Sequence, residues 1–441
     1  EYHHMEEFRR GGDMLNRPPH EANVAEQTEH SINGGGLKFD YFSPNENHRF
    51  NVFASAQHIN RDSYYGPGDR DPLDAYGNTT DLNWMAGSQY VYSFGKCIFM
   101  PSDLTAGIEF NQDKLEDNMW GYNRTVDQKV NIGSAFLQNE WKNDHWGFLI
   151  GGRLDKHNLI NHVIFSPRAN LRYNPTENIN LRFSYSSGFR APQAFDEDLH
   201  VENVGGNVAM VELADNLKEE RSQSLSASAD IYHRFGAFQV NFLVEGFYTK
   251  LSDVFALTDG EVVDGILTRT RHNASGAQVM GLTLEGKMAY LNKIQVQAGV
   301  TLQQSHYSKP HIWNKEAPAV KKMMRTPNTY GYFTATYTPI KPLSIALSGT
   351  YTGSMLVPHE PVPGFLENPI TVNTKDFFDI GLKAAYDFKL YKSMNLQLNA
   401  GIQNIFNAYQ DDFDKGADRD SGYIYGPSLP RSFFAGVKIS Y

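Results

Sequence analysis

The sequence has 441 residues, of which 24 are Tyr and 28 are Phe, and its formal net charge is −10 with a mean hydropathy of −0.49. This composition excludes a cationic nucleic-acid-binding protein, a disulfide scaffold, since Cys97 is the only cysteine, and a helical membrane protein, since no apolar run approaches about 18 residues. The aromatic content also exceeds that of a disordered chain, which leaves a β-rich protein with thinly spread apolar surface.

Apolar and polar residues alternate along most of the chain. From Ile294 to Leu302, for example, every second residue is apolar and the others are Gln, Gly or Thr. Successive side chains of a strand point to opposite faces, so each such segment has one apolar and one polar face. With boundaries good to about three residues, we predict strands at 2–9, 32–42, 48–60, 80–94, 103–117, 130–142, 146–157, 164–174, 178–189, 222–235, 238–256, 270–291, 294–306, 328–338, 343–355, 377–389, 394–406 and 432–441.

The predicted fold class is all-β. Alternation alone also fits the half-solvated sheets of a soluble sandwich or propeller. Three features favour a transmembrane antiparallel β-barrel of the outer membrane: a polar face of Asn, Gln, Ser, Thr and Gly, aromatic residues near segment ends, and short turns that alternate with long loops. We find no linker or second domain, so one barrel domain is predicted over 1–441. The predicted long loops are 61–79, 190–221, 307–327, 357–375 and 407–431, and the join at 94–102 is longer than this rule prefers.

Specific motifs follow one another in a characteristic order. They are Gly188-Phe189-Arg190-Ala191-Pro192, Asn216-Leu217, Asn404-Ile405-Phe406, Pro430-Arg431 and the terminal Tyr441. In this order, over essentially the whole chain, they resemble the barrel of TonB-dependent outer-membrane receptors, and the final loop is similar to that of receptors from Bacteroides-like organisms. The resembled family has a plugged barrel of about 22 strands. Since about 18 strands and no plug are predicted here, the plug and the first strands are expected upstream of Glu1.

The resemblance implies a receptor in the outer membrane of a Gram-negative bacterium, not an enzyme. Its implied ligand is a metal chelate, with a siderophore-like iron complex first and cobalamin or haem next. The implied partners are outer-membrane lipid and the TonB energising complex, contacted through the missing N-terminal part, while a surface lipoprotein partner stays open. No resident cofactor and no nucleic-acid partner are expected. The alternatives are a passive porin of about 18 strands and a surface adhesin.

Several loop residues are candidates for ligand binding. In haem receptors resembling this one, a His between the two central motifs ligates iron, which singles out His200, although its acidic neighbours are typical of a solvated loop. Arg9, Arg10 and Arg190 could attract an anionic chelate; equally, Arg190 ends a strand and Arg9 and Arg10 pair with plug carboxylates. Aromatic hydroxyls suit capture of a planar or catecholate ligand and equally suit loop packing. These are Tyr64, Tyr65, Tyr76, Tyr122, Tyr423 and Tyr425.

Other clusters carry less chemistry. His3 and His4 are adjacent on a predicted strand, so they point to opposite faces and cannot both bind one metal without a bulge. Two long loops are also rich in aspartate, and closely spaced carboxylates can bind Ca²⁺. Because neither loop has the spacing of an EF-hand, we predict solvated loops there and no metal site. No hydrolase triad, phosphate loop or zinc spacing is found. The acidic clusters are Asp411, Asp412, Asp414, Asp418 and Asp420, and Asp69, Asp71 and Asp74.

Overall fold

The computed structural model describes residues 1–67, 75–204, 207–391, 393–427 and 429–441 and confirms the all-β class. Its helices are short: α1 at Asp196–Leu199 and 3-10 turns at Pro19–Glu21 and Trp120–Tyr122. The strands are β1 (Tyr2–Gly12), β2 (Val24–Phe42), β3 (His48–Pro67), β4 (Tyr76–Cys97), β5 (Met100–Met119), β6 (Arg124–Lys142), β7 (Trp146–His157), β8 (Ile164–Thr176), β9 (Ile179–Arg190), β10 (Glu202–Val204), β11 (Asn207–Leu213), β12 (Glu220–Phe235), β13 (Phe238–Ser252), β14 (Phe255–Val263), β15 (Ile266–Asn273), β16 (Ala277–Tyr290), β17 (Ile294–His311), β18 (Val320–Lys322), β19 (Thr329–Ile340), β20 (Leu343–Thr352), β21 (Leu356–His359), β22 (Ile370–Asn373), β23 (Phe377–Tyr391), β24 (Met394–Gln403) and β25 (Ser432–Ser440).

The main sheet is an antiparallel meander of 19 strands. Apart from the three-residue β18, which pairs with the end of β17 beyond β19, its strands pair with their neighbours in chain order, from β1 through β9, then β12, β13, β16, β17, β19, β20, β23, β24 and β25. The 18 that remain agree in number with the sequence prediction. Among the described residues no pairing joins β25 to β1, so the meander is open between these two strands.

The two faces of the meander differ in the way that the alternation predicts. On one face polar side chains bond across strands: the hydroxyls of Thr283 and Thr301 are 3.0 Å apart, and Gln297 Nε2 donates to the Tyr332 hydroxyl at 2.7 Å. On the other face large apolar side chains stay exposed, with Phe433 at 73%. A soluble sandwich buries its apolar face, whereas here the apolar face is the outer one, as in a barrel surrounded by lipid.

The polar face is concave. Arg61 on β3 lies 2.7 Å from Asp196, which follows β9, and Tyr65 on β3 packs edge-on against His200 at 5.2 Å between ring centroids. These contacts join strands that are far apart in the meander, so the sheet curves around the polar side. The helices of the described residues are all too short and polar to cross a bilayer.

Long and short connections alternate along the meander, so the long ones lie together at one end. They are 13–23, 158–163, 191–219, 253–276, 312–328, 353–376 and 404–431, together with the described parts of the β3–β4 and β5–β6 connections. Three of them contain strands of small separate sheets. The connections 191–219 and 253–276 together form a mixed sheet in the order β10-β11-β15-β14, whose β11–β15 pairing is parallel. The connection 353–376 contains the hairpin β21–β22.

Several predicted boundaries are wrong by more than three residues: β2 begins at Val24 rather than 32, β3 continues to Pro67 rather than 60, and β6 begins at Arg124 rather than 130. Two predicted connections are also wrong. The join at 94–102 is a tight turn, because Cys97 pairs with Met100 and Ile98 adopts a left-handed conformation with φ 63°. The segment from 238 to 291, predicted as two long strands, contains four. β13 ends at Ser252, the next residue Asp253 has φ 54°, and β14 and β15 form a hairpin around Asp264-Gly265, where both residues have positive φ. Asp-Gly between apolar residues is a strong hairpin signal.

Candidate functional site

The long loops converge over the polar face and form two clusters of charged side chains. The first, here called the arginine cluster, surrounds α1 and consists of Arg61, Arg124, Arg190 and Arg271. The second, called the acidic pocket, is a cavity of about 310 Å³ between five loops. Both clusters lie inside the mouth of the curved sheet, where a ligand entering from the loop end would first meet the protein.

Two arginines from the strands hold α1 against the polar face. Arg61 reaches Asp196, and Arg124 donates to the carbonyl oxygens of Asp198 and Leu199 at 3.2 and 2.9 Å. These carbonyls belong to the end of α1, where they have no partner within the helix. Arg124 also pairs with the buried carboxylate of Asp117 at 2.8 Å.

Arg190, the motif residue predicted to contact ligand, also binds α1. Its guanidinium pairs with Glu197 and lies 4.0 Å from the centroid of the Phe195 ring. Arg271, from β15, pairs with Glu197 at 3.2 Å and with Asp198. Burial raises the pKa of Glu197, but the hydrogen bonds from Arg190 and Arg271 outweigh burial and lower it below the usual value.

The charges of the arginine cluster balance. Its four guanidinium groups face four carboxylates, those of Asp117, Asp196, Glu197 and Asp198. Each arginine therefore already has an anionic partner from the chain itself, and the cluster fixes the loop between β9 and β12 over the lumen.

His200, the candidate haem ligand, follows α1 and stays partly exposed. Its Nδ1 lies 3.6 Å from Glu26 Oε1, and its ring meets the edge of Tyr65. Across the residues that the structure describes, no group of three or more His, Cys, Asp or Glu side chains is arranged to hold a metal ion. His200 thus lies beside a carboxylate and an aromatic ring, near the loop end of the curved sheet.

The predicted tyrosines divide into two groups. Tyr64 and Tyr65 lie at the end of β3 rather than in a loop, and both are buried; with Tyr76, Tyr122 and Met210 they form an apolar cluster. In this structure they pack the loop that follows α1 instead of projecting into solvent.

Tyr423 and Tyr425 lie in the last loop and organise its acidic residues. Tyr423 stacks on His359 with the ring centroids 3.8 Å apart, and Tyr425 donates to Asp412 at 2.6 Å. Burial, reinforced by Asp412, raises the pKa of Tyr423 to about 12. Asp414 pairs with His359 at 2.9 Å. The acidic cluster of the last loop is thus hydrogen-bonded to side chains of this protein, namely Tyr425 and His359. The other predicted acidic cluster, Asp69, Asp71 and Asp74, lies outside the described residues.

The structure keeps the N-terminal candidates apart from both clusters. Arg9 donates to Glu7 at 2.9 Å, whereas Arg10 donates to the carbonyl oxygens of Gly11 and Asp13. Arg9 is paired in register with Thr28, and both side chains lie on the polar face of the sheet. Arg10, the next residue of the strand, therefore points to the opposite face of the sheet. His3 and His4 are separated by the faces of β1 in the same way.

The remaining motif residues position loops. Leu217 N donates to Ala214 O in the turn before β12, and Arg431 N donates to Asn407 Oδ1 at 2.9 Å. Ala191 is buried beside the arginine cluster, while Tyr441 is fully exposed at the end of the last strand. Gly188 pairs with Ser222 across β9 and β12. Phe189, Pro192, Asn216 and Pro430 lie in or beside these same segments.

The acidic pocket was not found from the sequence. Arg269 lies at its centre and contacts Glu202, Asp259 at 3.0 Å and Glu360 at 3.4 Å. Asn314 Nδ2 donates to Glu360 at 3.0 Å, and Asp420 accepts from the backbone N of Glu360 at 2.9 Å. Because these residues come from separate loops, no spacing in the sequence points to them. The aromatic residues that line the cavity are Phe255, Tyr307 and Trp313.

Comparisons with known proteins identify the type of barrel. The family model described as "TonB dependent receptor-like, beta-barrel" matches residues 9–405. No curated protein sequence matches the chain. Among solved structures, the siderophore receptor PirA from Acinetobacter baumannii superposes with a TM-score of 0.67 at 14% identity, over 94% of this chain and 62% of that one. The Fiu ferric-catecholate import receptor from E. coli gives 0.65 at 13%, over 94% and 64%. The FrpB iron transporter from Neisseria meningitidis gives 0.67 at 16%, over 99% and 69%.

At these identities the likeness is one of fold. The chain spans somewhat less than two thirds of the length of PirA and Fiu. Within this shorter span, the long loops lie at one end of the meander, above its concave polar face.

Proposed function

The chain belongs to the TonB-dependent receptor-like β-barrel family, and from this premise we propose that it is the barrel part of an outer-membrane receptor that binds and imports a metal chelate. Families of this kind are receptors and transporters of the Gram-negative outer membrane rather than enzymes. The observation that carries the proposal is the family match, which covers residues 9–405 of the 441-residue chain.

A siderophore-like iron complex is the proposed ligand class, ahead of cobalamin and haem. The structural neighbours named above are, by their own descriptions, a siderophore receptor, a ferric-catecholate import receptor and an iron transporter. The convergence of loops from across the sheet supports ligand capture at the mouth. For the haem alternative, His200 would be the ligand, and His200→Ala would abolish haem binding.

We further propose that the plug and the first strands of the barrel lie upstream of Glu1, and that the TonB energising complex acts through that part. The open edges of β1 and β25 support this proposal, because unpaired backbone groups are costly in lipid. The polar face would then hold the plug through hydrogen bonds, which can break and re-form when the plug moves.

Uptake of ⁵⁵Fe-loaded chelates by whole cells tests the proposal. A strain lacking the gene is expected to lose uptake of one chelate, to regain it from a plasmid copy, and to lose it again when the energising complex is deleted. Uptake that continues without the energising complex would overturn the receptor proposal.

Conductance separates the receptor from the passive porin. A receptor with its plug should pass almost no ion current in a planar bilayer, whereas an open pore of about 18 strands would pass a steady current. The adhesin alternative predicts partner binding at the surface with no accumulation of solute in the cell.

A further inference from the structure

The acidic pocket carries more negative charge than its own chain neutralises. It is lined by four carboxylates and by two arginines, Arg269 and Arg325. Arg325 donates to the carbonyl oxygens of Gly422 and Ile424, so of the two arginines Arg269 is the one that pairs with the carboxylates. In the arginine cluster, by contrast, charges of the two signs are equal in number. The four carboxylates are Glu202, Asp259, Glu360 and Asp420.

Burial and the neighbouring carboxylates act together on Glu360, which lies in the loop between β21 and β22. Burial and the carboxylates of Asp259 and Asp420 raise its pKa to about 7, against the opposing effects of Arg269 and Asn314. The cavity therefore accepts a positive charge, which near neutral pH is partly supplied by a proton. The other titratable groups around Glu360 are Glu202 from β10, Tyr307 and His311 from β17, Arg325 from the loop before β19, and His359 next to it in the chain.

A second feature of the cavity also points to a ligand. Trp313 is only 7% exposed, it lines the cavity, and its indole Nε1 has no hydrogen-bond partner among the described residues. Buried indole N–H groups are normally paired, so an acceptor that the chain does not provide is needed here. The rings of Phe255 and Tyr307 also line the cavity, and aromatic faces attract cations.

The size of the cavity limits what can enter. At about 310 Å³, it holds roughly ten water molecules at their liquid volume. An ammonium or guanidinium arm with a neighbouring carbonyl group fits this space, whereas a complete metal chelate needs the wider mouth above it.

We propose that the acidic pocket is the subsite for a cationic arm of the imported chelate, in which an ammonium or guanidinium group lies among the carboxylates and a neighbouring acceptor receives the Trp313 N–H. This inference rests on the proposed function and adds a ligand class to it: a chelate with a protonated side arm.

A matched pair of small probes tests the subsite without knowledge of the chelate. Nα-acetyl-lysine methylamide carries an ammonium group and amide carbonyls, and the norleucine analogue lacks only the ammonium. With the receptor extracted from outer membranes in detergent, titration followed by tryptophan fluorescence and calorimetry should show saturable binding of the lysine probe alone. Equal binding of both probes, or no saturation by the lysine probe, would overturn the proposal.

Substitutions within the pocket locate the binding. Asp259→Asn and Glu360→Gln should each weaken the lysine probe about tenfold, which corresponds to the loss of one charge-assisted contact. Trp313→Phe keeps an aromatic ring and removes the indole N–H, so a smaller loss is expected; it is measured by calorimetry because this variant lacks the Trp313 fluorophore. Asp411→Asn is the matched control, because Asp411 is an exposed carboxylate paired with Lys375 and does not line the cavity. Weakening by the control equal to that by the pocket variants would overturn the assignment.

The pH dependence gives a readout that misfolding cannot imitate. Because a bound cation favours the ionised form of Glu360, affinity for the lysine probe should rise between about pH 6 and pH 8, and this rise should vanish in Glu360→Gln. If chelate uptake is normal but the probe does not bind, the subsite alone is refuted. If the probe binds and no chelate is imported, the proposed function fails while the cation site stands.

Discussion

At the scale of single residues, Asn404 shows how a family motif can be structural. Its backbone has φ 50°, its Nδ2 donates to the carbonyl oxygens of Ala408 and Leu429 at 3.0 Å each, and its Oδ1 accepts from Ala408 N at 2.8 Å. Asn tolerates the left-handed region better than most residues and offers both donors and an acceptor. The motif Asn404-Ile405-Phe406 therefore fixes the start of the last loop.

Asn404→Ala should destabilise this loop by about 2–4 kcal/mol, because it removes three hydrogen bonds and puts alanine at a positive φ. Hydrogen exchange of 404–431 in the purified receptor measures the effect. Asn404→Gly also loses the three hydrogen bonds but tolerates the positive φ, so its exchange rate should lie between those of the wild type and Asn404→Ala. Unchanged exchange in Asn404→Ala would refute the structural role of Asn404.

The carboxyl of Glu360 should make the stability of its loops depend on pH. Its pKa is raised to about 7, so the folded state binds the proton more tightly than the unfolded state. The stabilisation is complete below the ordinary pKa of a glutamate and is lost as the pH rises through 7. Without ligand, exchange in 353–376 should be faster at about pH 8 than at pH 6 after correction for the intrinsic rate. Glu360→Gln should remove this difference.

Individual residues also show which features of the structure can be predicted from the sequence. Period-two alternation, as in Gln297 and Thr301, depends only on local geometry, so the strands and their polar face could be predicted. The Asp264-Gly265 turn is a readable hairpin signal that the prediction missed, since it lies between the predicted strands 238–256 and 270–291, in the segment predicted to connect them. The acidic pocket could not be found, because Glu202, Asp259 and Glu360 meet only when separate loops fold together.

At the scale of elements, α1 owes its position to its charged partners. Four residues are too few for a stable helix alone, and α1 is held by the arginine cluster. Arg271→Met should leave the buried Asp198 without its arginine, at a cost of about 3–5 kcal/mol. The loop 191–219 should then be cut faster by added protease.

A comparison with Arg234→Met controls for the loss of an arginine as such. Arg234 lies at the far end of β12, is exposed, and within the described part of the chain donates only to Gly236 O at 3.2 Å. Cleavage of 191–219 at the wild-type rate is expected for this variant. Equal rates in both variants and wild type would mean that the cluster does not hold α1.

Several glycines inside strands lie against an aromatic ring of the next strand. Gly87 pairs with Phe53, and a Cβ at Gly87 would lie 2.6 Å from the ring and 3.0 Å from Glu109 Cγ. Gly87→Ala should therefore cost about 1–3 kcal/mol in thermal unfolding. Gly133→Ala is the matched control, because Gly133 also lies within a strand but has open space at that position. Similar losses in both variants would refute the steric explanation.

At the scale of the whole molecule, the meander of the described residues ends in two strands, β1 and β25, each of which has one unpaired edge. A porin of about 18 strands would have to close β1 directly on β25, because open edges are not stable in lipid. A receptor with further strands upstream of Glu1 would place those strands between them. The neighbour of β25 in the native protein therefore distinguishes the two architectures.

Cysteine cross-linking in the native membrane identifies that neighbour. In a Cys97→Ser background, Val437→Cys on β25 is combined with single cysteines along Tyr2–Gly12, and oxidation is followed by gel mobility. Ala400→Cys with Ala435→Cys is the positive control, since these residues are paired in register. We expect the control pair alone to form a disulfide. A disulfide between β25 and any position of β1 would mean that the sheet closes on itself within this chain, and the receptor proposal would give way to the porin.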